Sequence, residues 1–301
     1  MHINSIGSSV EKSANCILKF YRTQGGFFVP AALKLFKAKA LAQLLYGTFL
    51  GPSSSFSPLE RVQSKFLRAL LHVPKCVSNA WIRLETGMTR VEALICLTSI
   101  YKWLALNLKP QGISPLILCD QFQSEWQLAV LNSLQNMGLA PQALLRMDLR
   151  QAKAMVRQRL SDIERQQDCS RCPEYRTGEI ERYIAAPAPY LSFLLSKNTR
   201  RAFTLARSAA LPTPVLEGLY KKIPYAQRLC VCPLGEIGSP EHSFFRCPLY
   251  EEARREILDP ILVRLASLPE KQTYNLLLLG KDPMITRAVA RFCIHICRHS
   301  S

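Results

Sequence analysis

Ser57-Pro58-Leu59-Glu60-Arg61-Val62-Gln63-Ser64-Lys65-Phe66-Leu67-Arg68-Ala69-Leu70 reads as one amphipathic helix. Leu59, Val62, Phe66 and Leu70 recur at helical spacing, with Arg61, Lys65 and Arg68 to one side. Ser57 is placed to cap the first turn, Pro58 suits an early helical position, and Glu60 is placed to reach back to the cap amide. Pro74 stops the pattern. The same periodicity extends outward in both directions. Upstream, 31–46 sets Leu33, Phe36, Ala40 and Leu44 on one stripe, with Lys34, Lys37 and Lys39 off it, and Gly51-Pro52-Ser53-Ser54-Ser55 breaks it. Downstream, helices are expected over 89–108, stopped by Pro110 and Gly112, and through much of 114–167. Period-2 alternation is scarce, so the fold class predicted is mainly α.

The carboxy-terminal part carries the most specific chemistry. Cys230-Val231-Cys232, then His242 and Cys247, supplies three thiols and one imidazole in one short segment. Such a set can close a tetrahedral zinc site with no position left for substrate, which is a structural site. Pro233 and Gly235 favour a sharp turn after Cys232. Ser239-Pro240-Glu241 predicts a helix start with His242 in its first turn, and Pro248 disfavours helix at Cys247. The alternative is that these cysteines are buried small hydrophobes. Cys169 and Cys172 form a CxxC without a second pair nearby, and Cys293 with Cys297 reads as packing on a helix that also carries Phe292 and Ile296. Beyond the cluster, Pro248 opens a helix through Ile257, Asp259-Pro260 caps another, and Asp282-Pro283 caps the last, with Ile285, Val289, Phe292 and Ile296 as its stripe.

A net charge of +17 on 301 residues favours a polyanionic partner; the competing explanation is a merely solvated basic surface. Arg200, Arg201, Arg207, Lys221, Lys222 and Arg228 precede the cysteines and face a single acid, Glu217. Lys34, Lys37, Arg61, Lys65 and Arg68 supply a second basic set. Phe203, Tyr220 and Tyr225 are candidate stacking platforms for unpaired bases. The middle of the chain is basic too (Arg146, Arg150, Lys153, Arg157, Arg159 and Arg165), which reads as a solvated helix face, with a dedicated binding surface as the alternative. Eleven cysteines, an odd count, with no apolar signal stretch between Met1 and Lys12, fit reduced thiols in a nuclear or cytoplasmic rather than secreted protein. No run is expected to span a membrane, since 31–50 carries three lysines. No two Asp residues are adjacent, and no Gly-rich phosphate loop or nucleophile elbow is present, so no enzyme is expected. Loss of periodicity between 168 and 189 suggests a linker. The resulting organisation is 1–110 helical, 111–168 a basic helical connector, 169–198 a linker, 199–255 a basic metal-binding segment, and 256–301 terminal helices.

Several segments resemble, in order along the chain, the region after the polymerase core in vertebrate non-LTR retrotransposon reverse transcriptases. They are Tyr21-Arg22-Thr23-Gln24-Gly25-Gly26, Pro30-Ala31-Ala32-Leu33-Lys34-Leu35-Phe36, Leu45-Tyr46-Gly47, Ser57-Pro58-Leu59-Glu60-Arg61-Val62-Gln63 and Arg200-Arg201-Ala202-Phe203-Thr204-Leu205-Ala206-Arg207, followed by the Cys/His cluster. The resemblance implies thumb-like helices that grip a template–primer duplex, then a zinc knuckle on Cys230, Cys232, His242 and Cys247 that assists RNA or DNA binding. Pro233 stands where the family commonly has Gly. The aspartate pair of the polymerase palm is missing. Thumb helices pack on a palm, so Leu41, Leu44 and Leu45 are expected to be exposed here.

Overall fold

The computed structural model describes residues 2–26, 28–46, 56–108, 125–172, 186–265 and 267–299. The expected breaks at Gly51 to Ser55 and at Pro110 and Gly112, and residues 114–124, lie outside them. The described chain is mainly α-helical, 74% helix, and its one pairing of extended backbone is an isolated bridge between Leu229 and Ile237.

The chain opens with α1, His2–Thr23, which sequence reading had not singled out. It buries Val10, Ala14, Ile17, Leu18 and Tyr21 at helical spacing. After α2 (Val29–Leu35) the helix continues as a wider π-helical segment, Phe36–Leu41, into α3 (Ala42–Leu45). The expected stripe of Leu33, Phe36, Ala40 and Leu44 is buried, and Lys34, Lys37 and Lys39 are exposed. Phe36 stacks on Phe66 of α4 (Ser57–Leu71), with ring centroids 4.1 Å apart. Leu41 and Leu44 are buried and Leu45 is partly buried. The expectation of an exposed palm-facing surface at these three leucines is therefore corrected: α1 and the later helix Val91–Leu108 pack against this segment from within the chain.

The start of α4 also differs from the expected capping box. Phe56 is the cap residue, with no side-chain cap bond. Glu60 turns away from its own helix, accepting from the Val91 amide at 2.7 Å and the Arg83 guanidinium at 3.2 Å. The Arg83 guanidinium of the next helix and the Val91 amide at the start of the helix after it compete for that carboxylate, and win. Helix α4 ends at His72 in the left-handed conformation, φ 57°, two residues before Pro74.

Helices α5 (Asn79–Thr86) and α6 (Val91–Leu108) follow. Together with α7 (Glu125–Asn136), α8 (Pro141–Leu144) and α9 (Leu149–Arg171), α6 encloses its own core of Ile100, Trp103, Leu104, Val130, Leu134 and Val156. In contrast with the expectation from sequence, α6 is long and apolar enough to cross a membrane by length and composition; here its apolar face packs on α7 and α9. Three bidentate or branched ion pairs tie the helices: Arg83 to Asp168 at 2.6 and 2.8 Å, Arg90 to Glu164 at 2.5 and 2.6 Å, and Arg207 to Glu85 at 2.7 and 2.8 Å.

The stretch read as a linker, 169–198, does not behave as one where it is described. Helix α9 runs on to Arg171, Cys172 is buried, and Tyr190, Leu191 and Leu195 enter the main core. That core takes residues from both sides of the stretch, Val10 through Ile296. Residues 173–185 of the stretch lie outside the described residues. After it come α10 (Lys197–Arg207), α11 (Pro214–Tyr220) and α12 (Pro240–Phe245), then α13 (Glu251–Ile257), α14 (Asp259–Leu262), α15 (Glu270–Leu277) and α16 (Pro283–His299). Asp282 caps α16 through the amides of Met284 and Ile285, as expected. Asp259, by contrast, is inside α14, whose cap residue is Leu258.

Candidate metal centre

Four side chains separated in sequence meet at one point. Cys230, Cys232 and Cys247 each offer Sγ and His242 offers a ring nitrogen, all four atoms lying within 4.8 Å of one another. Sγ of Cys230 is 3.7 Å from Sγ of Cys247, and Sγ of Cys232 is 3.3 Å from Nε2 of His242.

The local sequence accounts for each position. The Cys232 carbonyl accepts from the Gly235 amide at 3.3 Å, closing a four-residue turn with Pro233 second and Gly235 last. Proline is favoured at that second position because its fixed φ suits the turn. Pro233 thus suits the turn. Gly235 takes φ +61°, a conformation costly for residues with a Cβ. The Cys230 amide donates to Glu236 at 2.8 Å and Gly238 donates to Arg228 at 2.9 Å, so the turn caps a short hairpin. Ser239 then caps α12 by accepting from the His242 amide at 3.1 Å, which puts the imidazole in the first turn. The amide of Cys247 donates to the His242 carbonyl at 2.8 Å, and the chain leaves the helix there.

His242 is fully buried, and its Nδ1 lies 3.0 Å from a Glu236 carboxylate oxygen. A carboxylate only accepts, so Nδ1 carries the proton and the Nε2 lone pair points to the sulfurs. Arg246 in turn sits 3.2 Å from Glu236 and 3.6 Å from Glu270 of α15. Burial pushes the Cys232 thiol up, but the Leu234 amide, the neighbouring Cys230 and Cys247 thiols and the Gly235 amide more than offset it, leaving it below an ordinary cysteine. Cys247 is pushed up to about 12, first by burial, against the Leu249 amide and with the Cys230 and Cys232 sulfurs adding to the rise. Three clustered thiols cannot all ionise without a compensating charge, which a divalent ion between them would supply. Soft sulfur and imidazole donors, and no carboxylate among the four, make the set fit a metal ion held by protein alone.

Searches against known protein families, curated proteins and solved structures return no match to this chain.

The basic residues fare differently from the cysteines. Arg200 is buried, not on a binding surface: it donates to the Tyr21 hydroxyl at 2.7 Å, to the Leu195 carbonyl at 3.0 Å, and to the Gly26 carbonyl. Arg207 is taken up by Glu85 and by the Leu278 carbonyl. Arg228 lies under Gly218 and donates to the Ile223 and Val215 carbonyls at 2.8 and 3.1 Å. Arg68 donates to Pro74 O and Asn79 Oδ1 at 2.8 and 2.7 Å. Each of these four guanidiniums fastens one segment to another; the phosphate-contact reading is corrected for Arg200, which is fully buried, and for Arg207, whose charge Glu85 neutralises, while Arg228 stays partly exposed on neutral carbonyls. Lys34, Lys37, Arg61, Lys65, Arg201, Lys221 and Lys222 remain exposed. Lys65 sits 2.5 Å from Glu11, and Lys221 4.0 Å from Glu217. Phe203 is core, edge-on to Tyr190, whereas Tyr220 and Tyr225 are exposed. Cys293 is buried in the main core, as the packing reading expected, and Cys172 meets Ser78 at 3.1 Å. What the sequence reading missed was Glu236. Its signal was an acid inside the loop between the second cysteine and the histidine.

Proposed function

We propose that this chain is a zinc-stapled nucleic-acid-binding region akin to the part that follows the polymerase core in non-LTR retrotransposon reverse transcriptases, binding RNA or DNA through backbone contacts. The observation that carries the zinc reading is the closed Cys/His set. A tetrahedral zinc with ligands at ordinary lengths has edges of about 3.8 Å between sulfurs and about 3.6 Å between sulfur and nitrogen. The observed 3.7 Å and 3.3 Å fall close to both. Four protein ligands leave no open position, so the ion holds the hairpin and α12 together and performs no chemistry. The chain's own residues do the rest: Glu236 orients His242, and Arg254 donates to the Cys247 carbonyl at 3.2 Å. The nucleic-acid reading rests on the resemblance, on the net charge of +17 and on the lysines and arginines left exposed.

One observation favours a second reading, a protein-interaction module. Leu219, Tyr220, Tyr225, Leu229, Val231 and Leu234 are large apolar side chains exposed around the hairpin, Val231 to 88%.

Metal analysis of the purified chain tests the first part. About one zinc per chain is expected, with none retained by the Cys230→Ser, Cys232→Ser variant. A metal-free wild type that keeps its shape in chelator would sink it. Binding to labelled RNA and DNA oligomers across a salt series tests the second. Affinity should fall steeply as salt rises; no binding at low salt leaves the interaction module standing instead.

A further inference from the structure

The cleft between α4, the α4–α5 turn and the end of α9 collects more positive charge than the sequence suggested. Its volume is about 840 Å³. Arg61 comes from α4, Lys75 from the turn and Arg171 from the last turn of α9, and all three are exposed. Arg171 is far from the other two in sequence; only the fold brings it to them. Arg83 and Arg90 line the same cleft, but Asp168, Glu60 and Glu164 already neutralise them. Among the described residues no carboxylate lies within ion-pair distance of Arg61, Lys75 or Arg171. Arg68 adds a fourth charge on the wall. Its partners, Pro74 O and Asn79 Oδ1, are neutral, so they fix its guanidinium without cancelling its charge. Glu92 is the opposing acid on the rim, and Ser64 and Asn79 add neutral polar groups.

The geometry points to this cleft as a docking groove for a nucleic-acid phosphodiester backbone, which gives the nucleic-acid reading above a defined surface. Several fixed or exposed cations around a concavity suit a chain of regularly spaced single negative charges. A flat bilayer cannot enter a concave site of this kind, whereas a polymer strand can lie along it. Among the described residues the lining includes one aromatic ring, Phe56, which is partly buried, so bases have little stacking platform there and recognition is chiefly of the backbone. The inference rests on the proposed nucleic-acid function, and its experiment separates the two.

Fluorescence anisotropy with a labelled oligouridylate across a salt series is measured for three proteins. They are wild type, an Arg61→Ala, Lys75→Ala, Arg171→Ala variant, and an Arg264→Ala, Lys271→Ala, Arg287→Ala variant. The third loses the same charge from exposed positions elsewhere. The cleft variant is expected to bind about tenfold or more weakly than the charge-matched control, with a salt slope lower by about two, as three lost single-strand phosphate contacts require. Circular dichroism of all three should superimpose. Equal affinity and slope for the two variants would overturn the cleft while leaving nucleic-acid binding in place. A wild type that ignores the oligomer, or that binds only vesicles containing phosphatidylserine, overturns the nucleic-acid function and the cleft together.

Discussion

Arg207 grips Glu85 with two parallel N–H donors, at 2.7 and 2.8 Å, across a sequence separation of 122 residues. The carboxylate is fully buried, and the guanidinium also lies 5.4 Å from the centre of the Tyr190 ring. This pair joins α5 to α10. Removing one member leaves the other charge stranded inside the protein. Arg207→Ala or Glu85→Ala should therefore cost about 3–5 kcal/mol, read as a lower urea midpoint at neutral pH. Arg207→Lys should recover only part of the loss, because an ammonium cannot supply the two-pronged geometry. A midpoint within error of wild type in Glu85→Ala would show that the pair holds nothing together.

His72 supplies a pH dependence. Its ring is pushed down from 6.5 to about 4, first by burial and then by the positive charges of Lys197, Arg22, Arg200 and Arg201. A histidine depressed in the folded state is neutral there and becomes charged more readily when unfolded. Its stabilising contribution is complete above pH 6.5 and is lost as pH falls from there toward 4. His72 also occupies the left-handed position that ends α4, which asparagine tolerates. His72→Asn should thus fold normally and lose less stability than wild type between pH 7 and pH 4.5. After discounting for partial exposure, the gap should be on the order of 1–2 kcal/mol. Parallel acid-induced losses in the two proteins would refute the assignment.

The helices were legible because their signals are local. The stripe from Leu33 to Leu44, the cap at Asp282 and the start at Ser239 all involve residues within a few positions of each other, and the structure agrees at each. The metal cluster was legible for the same reason: one turn and one cap aim all its members. The arginines were not. Nothing near Arg200 in sequence indicates that Tyr21, 179 residues away, will receive its guanidinium. Counting charge along a segment overestimates the exposed cations whenever long-range partners exist. Likewise Glu60 looked like half of a capping box because its competitors, Arg83 and the Val91 amide, belong to later helices.

Gly238 sits where the hairpin crosses α11. A Cβ there would come within 2.5 Å of Pro214 Cγ, and the ring cannot swing aside. The flanking backbone is held at both ends, by Val215 N to Gly238 O at 3.2 Å and Gly238 N to Arg228 O at 2.9 Å. Gly238→Ala should cost about 1–3 kcal/mol through overpacking, with faster amide exchange at Val215 and Gly238. Unchanged exchange at both positions would mean the contact yields without strain.

Glu236 offers the sharpest test of the metal centre. It is not one of the four clustered side chains, yet it receives the Nδ1 proton of His242 and so sets which ring nitrogen faces the cluster. Losing such a partner costs about 10- to 100-fold in metal affinity, so Glu236→Ala should release zinc to a chromophoric chelator that much more readily, and Glu236→Gln, which keeps an acceptor, should fall nearer the lower end. Arg246 contacts the same carboxylate from solvent, with its own side chain about half exposed. A surface ion pair of this kind contributes at most about 1 kcal/mol, so Arg246→Ala should move the affinity less than about fivefold. The contrast matters more than either value. If Arg246→Ala weakens zinc as much as Glu236→Ala does, the effect comes from general electrostatics around the hairpin, and the orientation of the imidazole is not what Glu236 controls.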